Sequence, residues 1–326
     1  MNKEIILSGM QPTGKLHIGN YLGALKNFVD LQESEKYNCF FIVVDLHSLT
    51  TVTNSNELTH YSLDLMASYL AVGLDPKKST LFIQSHVPAH SELAWILNTV
   101  TPMGELSRMT QFKEKSETGN VNAGLFTYPV LQTADILLYD ADIIPVGEDQ
   151  LQHLELARFI SKKFNSRYTE IFTSPKPLIT SVPRLMSLDD PSKKMSKSRS
   201  AGCLFLDDTP EMVRSKIMKS VTDSGREVIY DQKNKPGIAN LMRIISYLSN
   251  KSFKEIEAQF KNATYSDFKK YTAEVVINHF TPIRERKEKL LKNPSKIIKI
   301  FTEGSQKANK VALKKIQKVK EVVGLI

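Results

Sequence analysis

Cysteine is almost missing from this chain: Cys39 and Cys203 are the only two among 326 residues. So few thiols argue against a disulfide framework or a structural metal site, and both are expected buried and unpaired in a reducing cytoplasm. Long hydrophobic runs are lacking as well. No apolar stretch approaches the ~20 residues that cross a bilayer, which excludes a helical membrane protein. The apolar core of residues 4–8 is too short for a secretory leader and reads as a strand. There is no internal repeat and no low-complexity tract, and 41% hydrophobic with 24% charged residues is ordinary for a globular chain. Most of the sequence also lacks net charge. Residues 282–326 hold thirteen Lys/Arg against four Asp/Glu, a surplus equal to the +9 of the whole chain. A basic end on a near-neutral body suggests a polyanionic partner met at that end.

What is present is a pair of short phosphate-handling segments far apart in sequence. Gln11-Pro12-Thr13-Gly14-Lys15-Leu16-His17-Ile18-Gly19-Asn20 follows an expected strand and opens a helix. Backbone N–H groups and the helix dipole there favour anionic phosphate. Gly9 and Gly14 allow tight turns, and Gly19 leaves room for a base to lie against the backbone. The second segment, Lys193-Lys194-Met195-Ser196-Lys197-Ser198, sets three lysines and two hydroxyls within six residues. Such a group suits a polyphosphate whose charge migrates during transfer.

The pattern predicts an α/β fold with a Rossmann-like, doubly wound parallel sheet. Strands are expected at residues 5–8, 39–44, 79–84 and 143–146, separated by helices near 18–31, 56–72 and 148–164. Residues 89–139 read as a mostly helical insertion. Prolines 175, 177, 183 and 191 make residues 173–194 a long connecting loop, with a last short strand at 204–206. Helices alone follow, at 210–220, 237–248, 252–260, 265–292 and 305–323. The expected organisation is a catalytic domain over 1–206 and an all-helical domain over 207–326. On the final helix Ala312, Ile316, Val319 and Val323 share one face, opposite Lys307, Lys310, Lys314 and Lys318.

His17-Ile18-Gly19-Asn20 and Lys194-Met195-Ser196-Lys197-Ser198 resemble the two ATP motifs of class I aminoacyl-tRNA synthetases. The first motif ends in Asn20 where His is usual, a departure common in one branch. The chain is similar to that branch, the bacterial tryptophanyl-tRNA synthetases, along nearly its whole length. Matching segments include Ser8-Gly9-Met10-Gln11-Pro12, Val44-Asp45-Leu46-His47, Ala134-Asp135-Ile136-Leu137-Leu138-Tyr139 and Pro145-Val146-Gly147-Glu148-Asp149-Gln150.

The resemblance implies a tryptophan–tRNA ligase that joins tryptophan to AMP, releases pyrophosphate, and passes tryptophan to tRNA(Trp). It implies ATP and L-tryptophan as substrates, Mg²⁺ carried on the ATP phosphates with no metal site of the protein's own, and a cytoplasmic homodimer. Gln11, Pro12, Thr13, His17, Gly19 and Asn20 would hold ATP from one side. Gly147, Glu148, Asp149 and Leu185 would line the adenosine. Lys115, Lys194, Ser196 and Lys197, with Met195 and Ser198 in the same loop, would follow the departing phosphates. Asp135 and Tyr128 would set amino acid choice, the carboxylate accepting the single indole N–H donor. Tyr128 and Gln150 would hold the amino acid's polar end, and Leu7, Val44, His47 and Val146 would wall the ring. Gln132 stands where many relatives carry Met. His86 and His90 read as ordinary hydrogen-bonded residues. The residues leave three other readings open: a tyrosyl-tRNA synthetase, a small nucleotidyltransferase and a non-catalytic RNA-binding relative.

Overall fold

The computed structural model describes residues 3–52, 54–116, 122–147, 150–179 and 184–325, with Lys115 and Ser116 described by their backbone alone. The chain packs as two compact units. One comprises residues 1–13, 27–181 and 293–326, and the other residues 14–26 and 182–292. The sequence suggests a single cut near Leu206; the packing groups the chain differently, because its last helix returns to the sheet.

In the first unit five strands form one parallel sheet: β1 (Glu4–Met10), β2 (Tyr37–Val43), β3 (Thr80–Ile83), β4 (Ile143–Val146) and β5 (Lys176–Ile179). Their order is β3-β2-β1-β4-β5, so the winding reverses between β1 and β4. Strands buried on both faces need continuous apolar sequence, and Cys39 through Val43 are all 5% exposed or less. Phe28 stacks on Phe41 at 4.6 Å, and Tyr69 donates its phenol proton to the Ile42 carbonyl at 3.1 Å. Gly9 lies within β1 rather than in a turn. A Cβ there would meet the Ile42 carbonyl at 2.6 Å, so glycine serves the close approach of β2.

Two expectations change. The stretch around Pro177 is not all loop: β5 pairs Ile144 with Pro177 in register. Proline is tolerated because β5 is an edge strand, where a missing N–H costs no ladder bond. Residues 204–206 are not a sheet strand; Phe205 instead makes an isolated antiparallel bridge with His17 in the second unit.

The other edge, β3, is covered by the last helix, Pro294–Val323, which starts eleven residues earlier than its apolar pattern suggests. Ser305 Oγ accepts the Ile83 N–H at 3.1 Å, giving the edge strand a partner it otherwise lacks. Gly304 permits this approach, since a Cβ there would sit 1.8 Å from the Leu81 carbonyl oxygen. Ala312, Ile316 and Val319 are buried as expected and Lys307, Lys310, Lys314 and Lys318 are exposed. Lys315 is the exception: it is buried, and its ammonium donates to the Ile171 carbonyl at 2.7 Å.

The second unit contains the helices Pro210–Met218, Pro236–Ser249, Phe253–Gln259 and Tyr265–Leu291. Their starts follow local chemistry. Thr209, Ser252 and Thr264 accept N–H groups of the first turn, and Pro210 and Pro236 occupy positions where a missing N–H is harmless. Ile217, Ile238, Ile244, Ile245, Ile256 and Phe268 are fully buried between them.

Gly304→Ala tests the helix-on-edge contact. Helix propensity alone favours alanine by about 1 kcal/mol, whereas overpacking costs roughly 1–3 kcal/mol. Net destabilisation of up to about 2 kcal/mol in urea unfolding is expected, and a gain in stability would show that the contact yields freely.

Candidate active site

In open parallel sheets, ligands settle outside the carboxyl ends of the strands where the winding reverses. The first unit has a cavity of about 270 Å³ at that place. Ser8, Gly9 and Gln11 reach it from β1 and its end, Ile42 and Val44 from β2, and Ile144, Pro145 and Val146 from β4. The helical insertion closes it with Gln111 and, from the helix Ala123–Leu137, Tyr128, Gln132, Asp135 and Ile136. Leu7, Val44, His47, Tyr128, Gln132, Asp135, Val146 and Gln150, singled out in the sequence, all line it, as does Gln11.

Asp135 is 3% exposed. Its Oδ1 accepts from His90 Nδ1 at 2.6 Å and its Oδ2 from His47 Nε2 at 2.9 Å. Gln84 Nε2 lies 2.8 and 2.9 Å from the two oxygens. Burial raises the carboxyl pKa, but the hydrogen bonds from His47 and His90 outweigh it and hold the group below the usual carboxylate range. With its proton on Nδ1, His90 accepts from the Tyr139 hydroxyl at 2.8 Å through Nε2. Gln84 Oε1 accepts the Leu46 N–H at 3.2 Å. A carboxylate has about four lone-pair sites, and these contacts engage them all. An incoming N–H donor therefore competes with His47 or Gln84 at Asp135.

His90 and Gln84 were not visible as site residues in the sequence. His90 lies in the first turn of an apolar helix and Gln84 directly follows a strand, and neither position announces a partner 45 or 51 residues away. His86, the other histidine of that stretch, is exposed. Across the cavity the Tyr128 hydroxyl is 2.9 Å from Gln111 Oε1 and 2.7 Å from His153 Nε2. A phenol has one proton, so donation to Gln111 makes the His153 ring the donor in return. Burial pushes the Tyr128 phenol up to about 12. Gln132, in the place of an expected apolar side chain, turns its amide to Gln150 Oε1 at 3.4 Å.

In this unit Pro12 is buried, the Thr13 N–H closes a turn on the Gln11 carbonyl at 3.0 Å, and the Gly147 carbonyl accepts the Gln150 N–H at 3.0 Å. Glu148, Asp149 and the side chain of Lys115 lie outside the described residues.

The second unit brings residues 14–20 and residues 193–198 together. Lys197 Nζ donates to the Gly14 carbonyl at 3.2 Å, across 183 residues of sequence. Gly14 has φ +112, a conformation that requires glycine. His17 caps the helix entry: its Nδ1 accepts the Gly19 N–H at 3.0 Å, while Asn20 Oδ1 accepts the His17 N–H at 3.1 Å. The Asn20 side chain therefore completes a capping box. Gly19 is needed because a Cβ would meet the His17 ring at 2.8 Å. The following residues, Tyr21–Leu25, are wound as a π-helix, a feature no apolar period reveals. Leu185 and Met195 are buried at the base of the lysine loop, and the Met195 N–H bonds the Leu185 carbonyl at 3.0 Å. Lys194 is exposed, and the Ser196 and Ser198 hydroxyls are 3.0 Å apart.

Burial, then the nearby charges of Lys197 and Lys194, lower the His17 pKa to about 4. The ring is therefore uncharged at neutral pH, with Nδ1 as acceptor and the proton on Nε2. The folded chain binds this proton more weakly than the unfolded one, so stability falls as pH drops from about 6.5 through about 4. NMR titration of the His17 ring should give a midpoint near 4, and a midpoint near 6.5 would contradict the assignment.

Residues 2–281 match the family model of class I tRNA synthetases for tryptophan and tyrosine (W and Y). A tryptophan–tRNA ligase of Clostridium tetani is 47% identical over 330 aligned residues, which cover 100% of this chain and 97% of the relative. The crystal structure of tryptophanyl-tRNA synthetase from Mycoplasma pneumoniae is similar at TM-score 0.88 and 34% identity, covering 100% of this chain and 99% of the other. The tryptophanyl-tRNA synthetase of Campylobacter jejuni, crystallised with ADP and tryptophan, is similar at TM-score 0.86 and 38% identity, covering 98% of this chain and 99% of the other. With its parallel sheet, a family model matched over residues 2–281 and full-length relatives of this kind, the chain belongs to the class I tRNA synthetases of the tryptophan and tyrosine family.

Proposed function

We propose that this chain is a tryptophan–tRNA ligase. It activates L-tryptophan with ATP and then transfers it to tRNA(Trp). The observation that carries the substrate assignment is the cavity at the switch point, apolar along β1, β2 and β4 and polar at Asp135, Tyr128 and Gln150. A flat ring with a single N–H donor suits such walls. In this reading the indole N–H takes over one acceptor position at Asp135, and Tyr128 and Gln150 meet the ammonium and carboxylate.

Activation forms a bond from a tryptophan carboxylate oxygen to the α-phosphorus and breaks the bond to the pyrophosphate oxygen. The carboxylate is already a nucleophile, so the protein's task is alignment and charge neutralisation rather than proton removal. Lys194 and Lys197 supply positive charge to the departing pyrophosphate, Ser196 offers a hydroxyl donor, and the His17 Nε2–H gives an uncharged donor at the helix entry. Lys115, Glu148 and Asp149 remain assigned by resemblance: Lys115 to the phosphates, Glu148 and Asp149 to the adenosine. Among the described residues no three His, Cys, Asp or Glu side chains are grouped to hold a metal. Mg²⁺ is assigned to the ATP phosphates, as its preference for water and phosphate ligands allows.

In the second step the terminal ribose hydroxyl of tRNA attacks the tryptophanyl carbonyl and AMP leaves. The helices after Leu206 are assigned to the anticodon end, and the exposed lysines of the last helix to the RNA backbone. Cytoplasmic location and a homodimer are inferred from the family; among the described residues no helix is long and apolar enough to cross a membrane.

Amino-acid-dependent ATP–pyrophosphate exchange should proceed with tryptophan and be negligible with tyrosine; the opposite preference would reverse the assignment. Lys197→Ala should slow exchange by about 3–4 kcal/mol in activation free energy, with the tryptophan Kd nearly unchanged. A benzothiophene analogue of tryptophan, which lacks the ring N–H, should bind roughly 0.5–1.5 kcal/mol more weakly, because His47 or Gln84 recovers the acceptor position the indole would have taken. Equal affinity in calorimetry would remove Asp135 from amino acid selection.

A further inference from the structure

The lysine loop leaves the protein from a short antiparallel ribbon within the second unit. Met186 bridges Lys194, the Ser187 N–H bonds the Lys193 carbonyl at 2.8 Å, and the Met195 N–H bonds the Leu185 carbonyl at 3.0 Å. In an extended chain, alternate residues point both backbone groups to the same edge. Leu185 and Ser187 thus serve the loop, and residues 184 and 186 present their backbone to the opposite edge. A two-stranded ribbon alone is marginal in water, so that second edge needs a partner.

The partner is a helix rather than a strand. Asn240, on Pro236–Ser249 and 1% exposed, accepts the Met186 N–H through Oδ1 at 2.8 Å and donates through Nδ2 to the Met186 carbonyl at 2.8 Å. The side-chain amide acts as one rung of a third strand. Arg243, nearly one turn later, donates to the Arg184 carbonyl at 3.1 Å, the next group along that edge. Asn240 touches none of the groups assigned to substrate.

We propose that Asn240 is a positioning residue for activation: it holds the ribbon so that Lys194 and Lys197 meet the leaving phosphates. Asparagine fits the place because it has one acceptor and one donor in a plane, matching one residue's backbone N–H and C=O. Aspartate lacks the donor, and leucine of similar size lacks both groups. The proposal rests on the reading of Lys194 and Lys197 as phosphate-binding.

The test is a double-mutant cycle in pyrophosphate exchange at saturating tryptophan. Asn240→Leu should lower kcat on the order of 10²-fold, the scale of a reacting group held out of place, with the tryptophan Kd unchanged. In a Lys197→Ala background the same substitution should cost distinctly less, on the order of tenfold, because only Lys194 is left for the ribbon to place. An equal loss in both backgrounds, or weakened tryptophan binding, would mean a general structural role and overturns the proposal. If Asn240→Leu does not fold, Asn240→Asp, which keeps the acceptor, should show a loss of roughly tenfold with the same dependence on Lys197. Hydrogen exchange on the unaltered protein gives a further check. The Met186 amide should be protected like that of Met195, and exchange at the rate of an open loop would refute the clamp. A Lys197→Ala protein with unaltered exchange kinetics would instead sink the phosphate reading, leaving hydrogen exchange to decide the clamp.

Discussion

A carboxylate taken out of water must be met by donors or give up its charge. Asp135 is met by three, and they come from places the sheet topology alone can gather: His47 after β2, Gln84 directly after β3, and His90 at the start of the insertion. Once these contacts form, the helix bearing Asp135 is fixed against the strand ends and the cavity has its far wall. In the proposed reading the arrangement also supplies selectivity of a kind that apolar walls cannot. A hydrophobic slot accepts many flat rings with small differences in free energy, while a buried polar group left unpaired by the wrong ligand exacts a larger penalty. Here the penalty is graded, because Gln84 and His47 satisfy Asp135 when no ligand does.

The two halves of the chemistry are built on different devices. The cavity proposed for the amino acid is built from strand ends and the helical insertion. The part proposed to handle phosphate consists of backbone turns and extended segments: a glycine with positive φ, a histidine-capped helix entry, and a ribbon carrying lysines. Selection among amino acids needs fixed geometry, whereas gripping a group that departs favours elements that move a short way. The histidine of the first motif is uncharged with lysines beside it, so on the proposed reading the positive charge offered to phosphate comes from the lysines.

Much of this was legible beforehand. The strands β1 to β4 announce themselves by apolar runs of strand length, and the eight cavity residues follow from a family resemblance laid on those strands. The failures share a cause. β5 was hidden by Pro177, which propensity counts against a strand but an edge position allows. The last helix begins eleven residues before the expected start at Ser305; Gly304, a weak helix former, sits inside it because the helix lies on a strand. His90, Gln84 and Asn240 matter through partners 45 to 54 residues distant, and local sequence carries no trace of such pairings.

The union of the last helix with β3 has a consequence for biosynthesis. The Ile83 amide and the Ser305 hydroxyl that meets it are 222 residues apart. At bacterial and eukaryotic elongation rates of about 5–20 residues per second, roughly 10–45 s pass between their emergence from the ribosome. For that interval the nascent sheet has a bare, apolar margin able to recruit another nascent copy's strand. A chaperone that shelters this margin until translation nears its end would raise the yield of native protein, more so in strains that translate slowly.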